Sequence, residues 1–274
     1  MYKKERFLTE LHRSSTGTDI DSVNGISSSK SALKKLLYLL QNKETLSEFA
    51  VRPPRSLLLF GNIYSDIDRL LFAFADELAL KGYDCLYLDC TTLNTTDPEI
   101  TSEYFLRVLN EAVSSAPCLI ICKSFEAICP SEDGSVHRRL ASDTLRSLIE
   151  LFSIEEDILF MAVSNRPNLI DEAFTDIVSM KVRVPLPDRD ARKAYILSEL
   201  SPLTASEKTV EMITDSTANY NYGELDRLLT LIKTEHILCC DRVCQIHIST
   251  VQSVLSGFSI RDKSEEERRF KNLI

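Results

Sequence analysis

Four short apolar runs set the terms for this chain: Ser56–Phe60, Cys85–Asp89, Cys118–Cys122 and Ile158–Val163. Each is bounded by turn or polar residues and separated from the next by a helical pattern, so each reads as a buried strand. The intervening patterns predict helices from Asp66 to about Leu80, over Ser102–Val113 and over Ser142–Phe152. A fifth strand follows at Ser179–Leu186. Strands that alternate with helices imply a mostly parallel sheet with helices on both faces, an α/β fold.

The pattern changes after Pro185–Asp188. From there it is helical: "DRDARKAYILSEL", "ASEKTVEMITDS", "YGELDRLLTLIKTEHIL" and "HISTVQSVLSGF". Asp188 and Ser206 are suited to cap the first two helices, because a short oxygen-bearing side chain accepts from the free N–H groups of a first turn. The expected organisation is an N-terminal extension (1–18), an α/β domain (19–187), a small all-helical domain (188–260) and a charged helix or tail (261–274).

Composition narrows the function classes. The net charge is -9, which argues against a general nucleic-acid binder, since that needs a basic face to displace counterions. No apolar run approaches a membrane span, and the N-terminus lacks the apolar core of a signal peptide. The chain therefore reads as soluble and intracellular, cytoplasmic or nuclear. Of its 8 cysteines, Cys85, Cys118 and Cys122 sit inside apolar runs, as reduced buried thiols do. His236, Cys239, Cys240, Cys244 and His247 (the cluster over 236–247) are ligand types that zinc accepts. The first half of that stretch continues a helical apolar pattern, and no paired C-x-x-C knuckle is present. Core cysteines at a helix end are the expectation, with no metal site.

Six segments stand in an order that resembles the AAA ATPases, and among them the valosin-containing-protein-like members. They are "DIDSVNGISSSKSALKKLL", "RPPRSLLLFGN", "APCLIICKSFEAICP", "VSNRPNLIDEAF", "VPLPDRDAR" and "NYNYGELDRLL". They run from about Asp19 and, with the tail, to about Phe270. The resemblance implies a P-loop NTPase-like α/β domain, a helical lid and assembly into rings.

At the positions where that family keeps its chemistry, this chain has other residues. A phosphate loop needs free backbone N–H groups, a Lys for the outer phosphates and a Ser or Thr for Mg²⁺. Gly61 matches the loop's first residue, and Asn62, Ile63, Tyr64, Ser65 and Asp66 follow without another glycine. Ile67 stands at the Lys position and Asp68 at the Ser/Thr position. Two aspartates facing a polyphosphate at ~4 Å would repel it by several kcal/mol, in order of magnitude, at intermediate dielectric. In the second motif, Lys123 and Ser124 stand where the resemblance implies an Asp for Mg²⁺ and a Glu for the attacking water. Glu126 matches a later acidic position, not the catalytic one. Asn165 matches the first sensor, though "NRPN" is also ordinary turn chemistry. No Arg precedes Arg183 in the segment where the family carries its arginine fingers. Asp97, Pro98 and Glu99 fall where its pore-loop grip would lie.

Asp68 and Lys123 are counterparts of two groups that converge on one Mg²⁺. They are expected to pair directly, the ammonium taking the metal's place in a buried ion pair. In a rival arrangement Lys123 replaces the loop Lys and meets a phosphate from the opposite strand. The resemblance thus implies a catalytically degenerate AAA-like protein, a pseudo-ATPase with a vestigial pocket around Gly61 and Asn165. No catalytic residue or metal is expected, no cofactor is required, and ATP or ADP would be at most a weak ligand. Its partners would be proteins, active AAA subunits or factors that work with them. The alternative is an ATP-binding protein or slow ATPase that uses non-standard residues.

Overall fold

The computed structural model describes residues 9–10, 19–23, 26–61, 67–93, 97–131, 134–154, 157–239 and 245–258. The loop at 62–66, Cys240, Cys244 and the charged tail at 261–274 lie outside the described residues.

In chain order, strand β1 (Thr9–Glu10) precedes helices α1 (Ser27–Gln41) and α2 (Lys43–Glu48). Then come β2 (Ser56–Gly61), α3 (Ile67–Ala79), β3 (Asp84–Asp89), α4 (Pro98–Ser114) and β4 (Cys118–Lys123). These are followed by α5 (Ser135–Ile154), β5 (Ile158–Ser164), α6 (Glu172–Ile177) and β6 (Met180–Val184). The sheet order is β1-β3-β4-β5-β2-β6. Strands β3, β4, β5, β2 and β6 are parallel, and β1 adds an antiparallel edge on β3. All five predicted strands form where the apolar runs placed them. Helix α4 starts four residues earlier than its apolar pattern indicated. Asp97 accepts from the Glu99 N–H, and Pro98 supplies the fixed φ suited to a first turn. Helix α1 was given no element from its sequence. It forms because Leu33, Leu36, Leu37 and Leu40 recur at helical spacing and are all buried.

Side chains of a strand alternate between the two faces of a sheet, and here that divides the core into two. Leu58, Phe60, Ile120, Cys122, Phe160 and Ala162 point to one face and pack against α4, α5 and α6 residues. Leu57, Leu59, Leu119, Ile121, Met161 and Val163 point to the other and pack against α1 and α3. The first face is anchored by three rings. Phe125 meets Phe160 edge-on at 5.7 Å and Phe174 at 4.4 Å between centroids.

The remaining described elements are α7 (Arg189–Leu200), β7 (Thr204–Ala205), α8 (Glu207–Ser216), α9 (Tyr222–Cys239), β8 (Gln245–Ile246) and α10 (Ile248–Gly257). These four helices enclose their own apolar cluster, and β7 and β8 form a short parallel pair beside them. Asp188 and Ser206 cap α7 and α8 through the Ala191 and Thr209 N–H groups, as expected. Asn221 and Glu224 form a reciprocal capping box at the start of α9, each side chain accepting from the other's N–H at 2.8 and 3.0 Å. Arg189 bridges Glu211 and Asp215 while Lys193 also meets Glu211, tying α7 to α8. No helix among the described residues is long and apolar enough to cross a membrane.

Phe160 is fully buried and contacts Phe125, Phe152 and Phe174. Phe160→Ala is expected to cost about 3–5 kcal/mol of unfolding free energy, measured by urea denaturation, and to lower the midpoint without abolishing helical circular dichroism.

Candidate functional site

The sheet topology brings the predicted site residues to one edge. Strand β2 is flanked by β5 and β6, so the carboxyl ends of β2, β4 and β5 lie side by side. Ligands of open α/β sheets bind in such crevices, outside the carboxyl ends of the strands. Gly61 is the last residue of β2, Lys123 of β4 and Ser164 of β5. Ile67 opens α3, is 3% exposed and packs into the core, so the position of the loop Lys belongs to the apolar interior.

Lys123 has the same strand parity as Leu119 and Ile121, which puts its side chain on the α3 face of the sheet. Asp68 lies in the first turn of α3. The ammonium Nζ donates to Asp68 Oδ2 at 2.8 Å, and the two side chains are 27% and 53% exposed. The expected pair is therefore present. It is half-exposed and not buried, because Asp68 sits at the helix end nearest solvent. Asp89 is the register partner of Lys123 on β3, and Tyr87 shares that face. Burial acts most strongly on the Lys123 ammonium and pushes its pKa down. The hydrogen bond and charge of Asp68, with Tyr87 and Asp89 nearby, outweigh that and hold the pKa above the ordinary lysine value. The Tyr87 hydroxyl is raised, chiefly by burial and also by Asp68 and Asp89, against the opposing charge of Lys123.

Ser124 follows with φ +55° in the left-handed region, and opens a short 3-10 turn over Phe125–Ala127. That turn aims Glu126 away from Lys123 and toward β5. The Ser164 hydroxyl, 1% exposed, donates to Glu126 Oε2 at 2.7 Å and accepts from the Arg166 N–H at 2.9 Å. Glu126 thus holds the sensor loop and takes no place beside the cleft. Ser164, the residue before Asn165, makes the bonds that hold this loop. A hydroxyl directly before the Asn was the available signal, because a Ser side chain readily accepts from the N–H two residues on. Asn165 lines the cleft together with Ile67, Asp68, Lys123, Ser124, Val163 and Ser164. The cleft's volume is about 20 Å³, enough for a water.

The other candidate residues lie elsewhere. Asp97, Pro98 and Glu99 form a helix cap and first turn, with Glu99 Oε1 2.8 Å from Arg139 Nη2. Arg183 lies on edge strand β6, where its carbonyl accepts from the Ser29 hydroxyl at 2.6 Å. His236 is buried within α9, Cys239 ends that helix exposed, and His247 directly precedes α10 without a side-chain cap bond, the two imidazole centroids being 6.4 Å apart. Among the described residues no three His, Cys, Asp or Glu side chains gather as a metal would require. Burial pushes the Cys85 thiol up to about 12 and the Cys118 thiol up to about 11.

Comparison with known proteins accords with this architecture. Residues 72–186 match the family model described as "ATPase family associated with various cellular activities (AAA)". The chain is similar to a cell division cycle protein 48 homolog of Archaeoglobus fulgidus, 24% identical over 82% of this chain and 31% of that protein. It is also similar to a spastin homolog of Caenorhabditis elegans, 27% identical over 72% of this chain and 38% of that protein. ATPase family AAA domain-containing protein 2 of Mus musculus is 26% identical over 92% of this chain and 25% of that protein. The chain thus spans well under half the length of these relatives. The crystal structure of the FIGL-1 AAA domain superposes with a TM-score of 0.73, covering 96% of this chain and 90% of that one at 15% identity, a likeness of fold.

Two outcomes follow from the site's geometry. A double-mutant cycle of Lys123→Met and Asp68→Asn should give a coupling of about 0.2–1 kcal/mol, as solvent-accessible pairs do. The folded-state pKa of Lys123 is raised, so this coupling is fully present below the ordinary value of 10.5 and is lost only as pH rises through the folded value. Equilibrium unfolding across neutral to alkaline pH measures it. Ser124→Gly should raise stability by up to about 1 kcal/mol by relieving the left-handed backbone, read from the urea midpoint.

Proposed function

The chain carries an AAA-family domain with Cdc48- and spastin-like relatives, and on that premise we propose that it is a non-hydrolysing scaffold or regulatory subunit. It binds other AAA proteins or their cofactors. One observation carries this reading: the Lys123–Asp68 ion pair at the carboxyl ends of the strands. Mg²⁺ coordination needs oxygen ligands, and the second-motif position offers an ammonium already engaged by a carboxylate. The loop-Lys position is an apolar side chain packed in the core. The described residues therefore do not fit a Mg²⁺–nucleotide, and no step of ATP hydrolysis is derived through one. The fold's apolar positions, caps and turns are intact, which supports a role that uses the molecule's surface.

In a mixed ring such a subunit would silence its own site and offer its neighbour no arginine finger. Mixing the full chain with an active Cdc48-type AAA protein tests this. The expected result is co-elution in light scattering and at least a twofold change in the partner's ATPase rate. Unchanged assembly together with an unchanged rate would contradict the role.

The second reading, an ATP-binding protein or slow ATPase, draws on Asn165, which lines the cleft and makes no hydrogen bond among the described residues. Single-turnover hydrolysis that Asn165→Ala reduces would favour it.

A further inference from the structure

Helix α1 presents two opposite faces. Its inner side chains are core residues, while Lys30, Ser31, Lys34, Lys35 and Tyr38 line one outer stripe at helical spacing, beside Asp21. The stripe borders an open, shallow depression of the surface. Its charge runs against that of the molecule. The chain has 41 acidic and 32 basic residues, yet this depression is lined by three lysines and one aspartate. Asp21 pairs with Lys34, and its backbone carbonyl accepts from the Lys30 ammonium at 3.0 Å. Lys35 has no ion pair among the described residues. Tyr38, 65% exposed, closes the stripe with an amphipathic ring of the kind enriched at protein interfaces.

We propose that this face docks an acidic peptide segment of a partner protein, carboxylates meeting Lys30 and Lys35 and an apolar side chain covering the Tyr38 ring. The inference does not rest on the pseudo-ATPase reading, since the stripe lies on a different element from the cleft at Lys123. Partial burial, with Lys34 beside it and against the opposing charges of Asp21 and Asp19, holds the Lys30 ammonium below its ordinary pKa. Lys30, Lys34 and Lys35 lie within about two turns of one helix, a spacing that a few carboxylates of a short peptide can match. Contacts of this kind are steered by charge and weaken with salt.

The test is fluorescence anisotropy of the full chain with a short labelled peptide rich in glutamate and carrying one phenylalanine. A lysine-for-glutamate version of the peptide, single-stranded DNA and phosphatidylserine vesicles serve as comparisons. Saturable binding is expected, falling at least tenfold in the Lys30→Glu, Lys35→Glu double variant and several-fold in Tyr38→Ala. Lys35→Glu alone, at an exposed position, keeps the test valid should the double variant fold poorly, and it should also weaken binding. The inference is overturned if the peptide does not bind, if the lysine variants bind it equally, or if DNA, vesicles or the basic peptide bind better.

Discussion

The ammonium of Lys123 and the carboxylate of Asp68 meet because a parallel sheet leaves them no other arrangement. Strand β4 ends at Lys123 with its side chain on the α3 face, and α3 begins just beyond the end of β2. Any charge at the end of β4 on that face is delivered to the first turn of α3. In an AAA-type site the same geometry gathers a metal, a hydroxyl and a carboxylate. Here it gathers a cation and an anion that satisfy one another. The pair adds little stability, being half-exposed, but neither charge is left uncompensated where the strands converge. The remainder of the site follows from it. The short turn at Ser124 directs Glu126 to Ser164, and Ser164 holds the sensor loop.

Much of this was legible in the amino-acid sequence, for a physical reason. Strands buried on both faces must be short and apolar, so Ser56–Phe60 and Cys118–Cys122 announced themselves, whereas the face that Lys123 takes emerged only with the sheet. Caps were equally visible at Asp188 and Ser206, since few residue types can satisfy a helix start. What was not legible depends on position in space. The exposure of the Lys123–Asp68 pair is set by where α3 ends relative to solvent. The role of Ser164 depends on a turn that brings Glu126 across from the neighbouring strand. Helix α1 escaped notice because its lysines and serines dilute an apolar period that becomes clear only once Leu33, Leu36, Leu37 and Leu40 are seen to be buried together.

A protein surface is the feature that this arrangement leaves available for work. The cleft that the described residues leave at the strand ends holds about one water's volume, and Lys123 and Asp68 beside it bond to each other. The outer face of α1 and the exposed flanks of the helical domain are unconstrained by any such closure. The proposed regulatory or scaffolding role would draw on the outline of the fold and not on metal chemistry.

Calorimetric titration of the full chain with ATP, with and without Mg²⁺, tests the central claim most directly. No saturable heat is expected up to about millimolar ATP, roughly 4 kcal/mol of binding free energy, and no dependence on Mg²⁺. Saturable Mg²⁺-dependent binding in the micromolar range, weakened by Asn165→Ala, would contradict it.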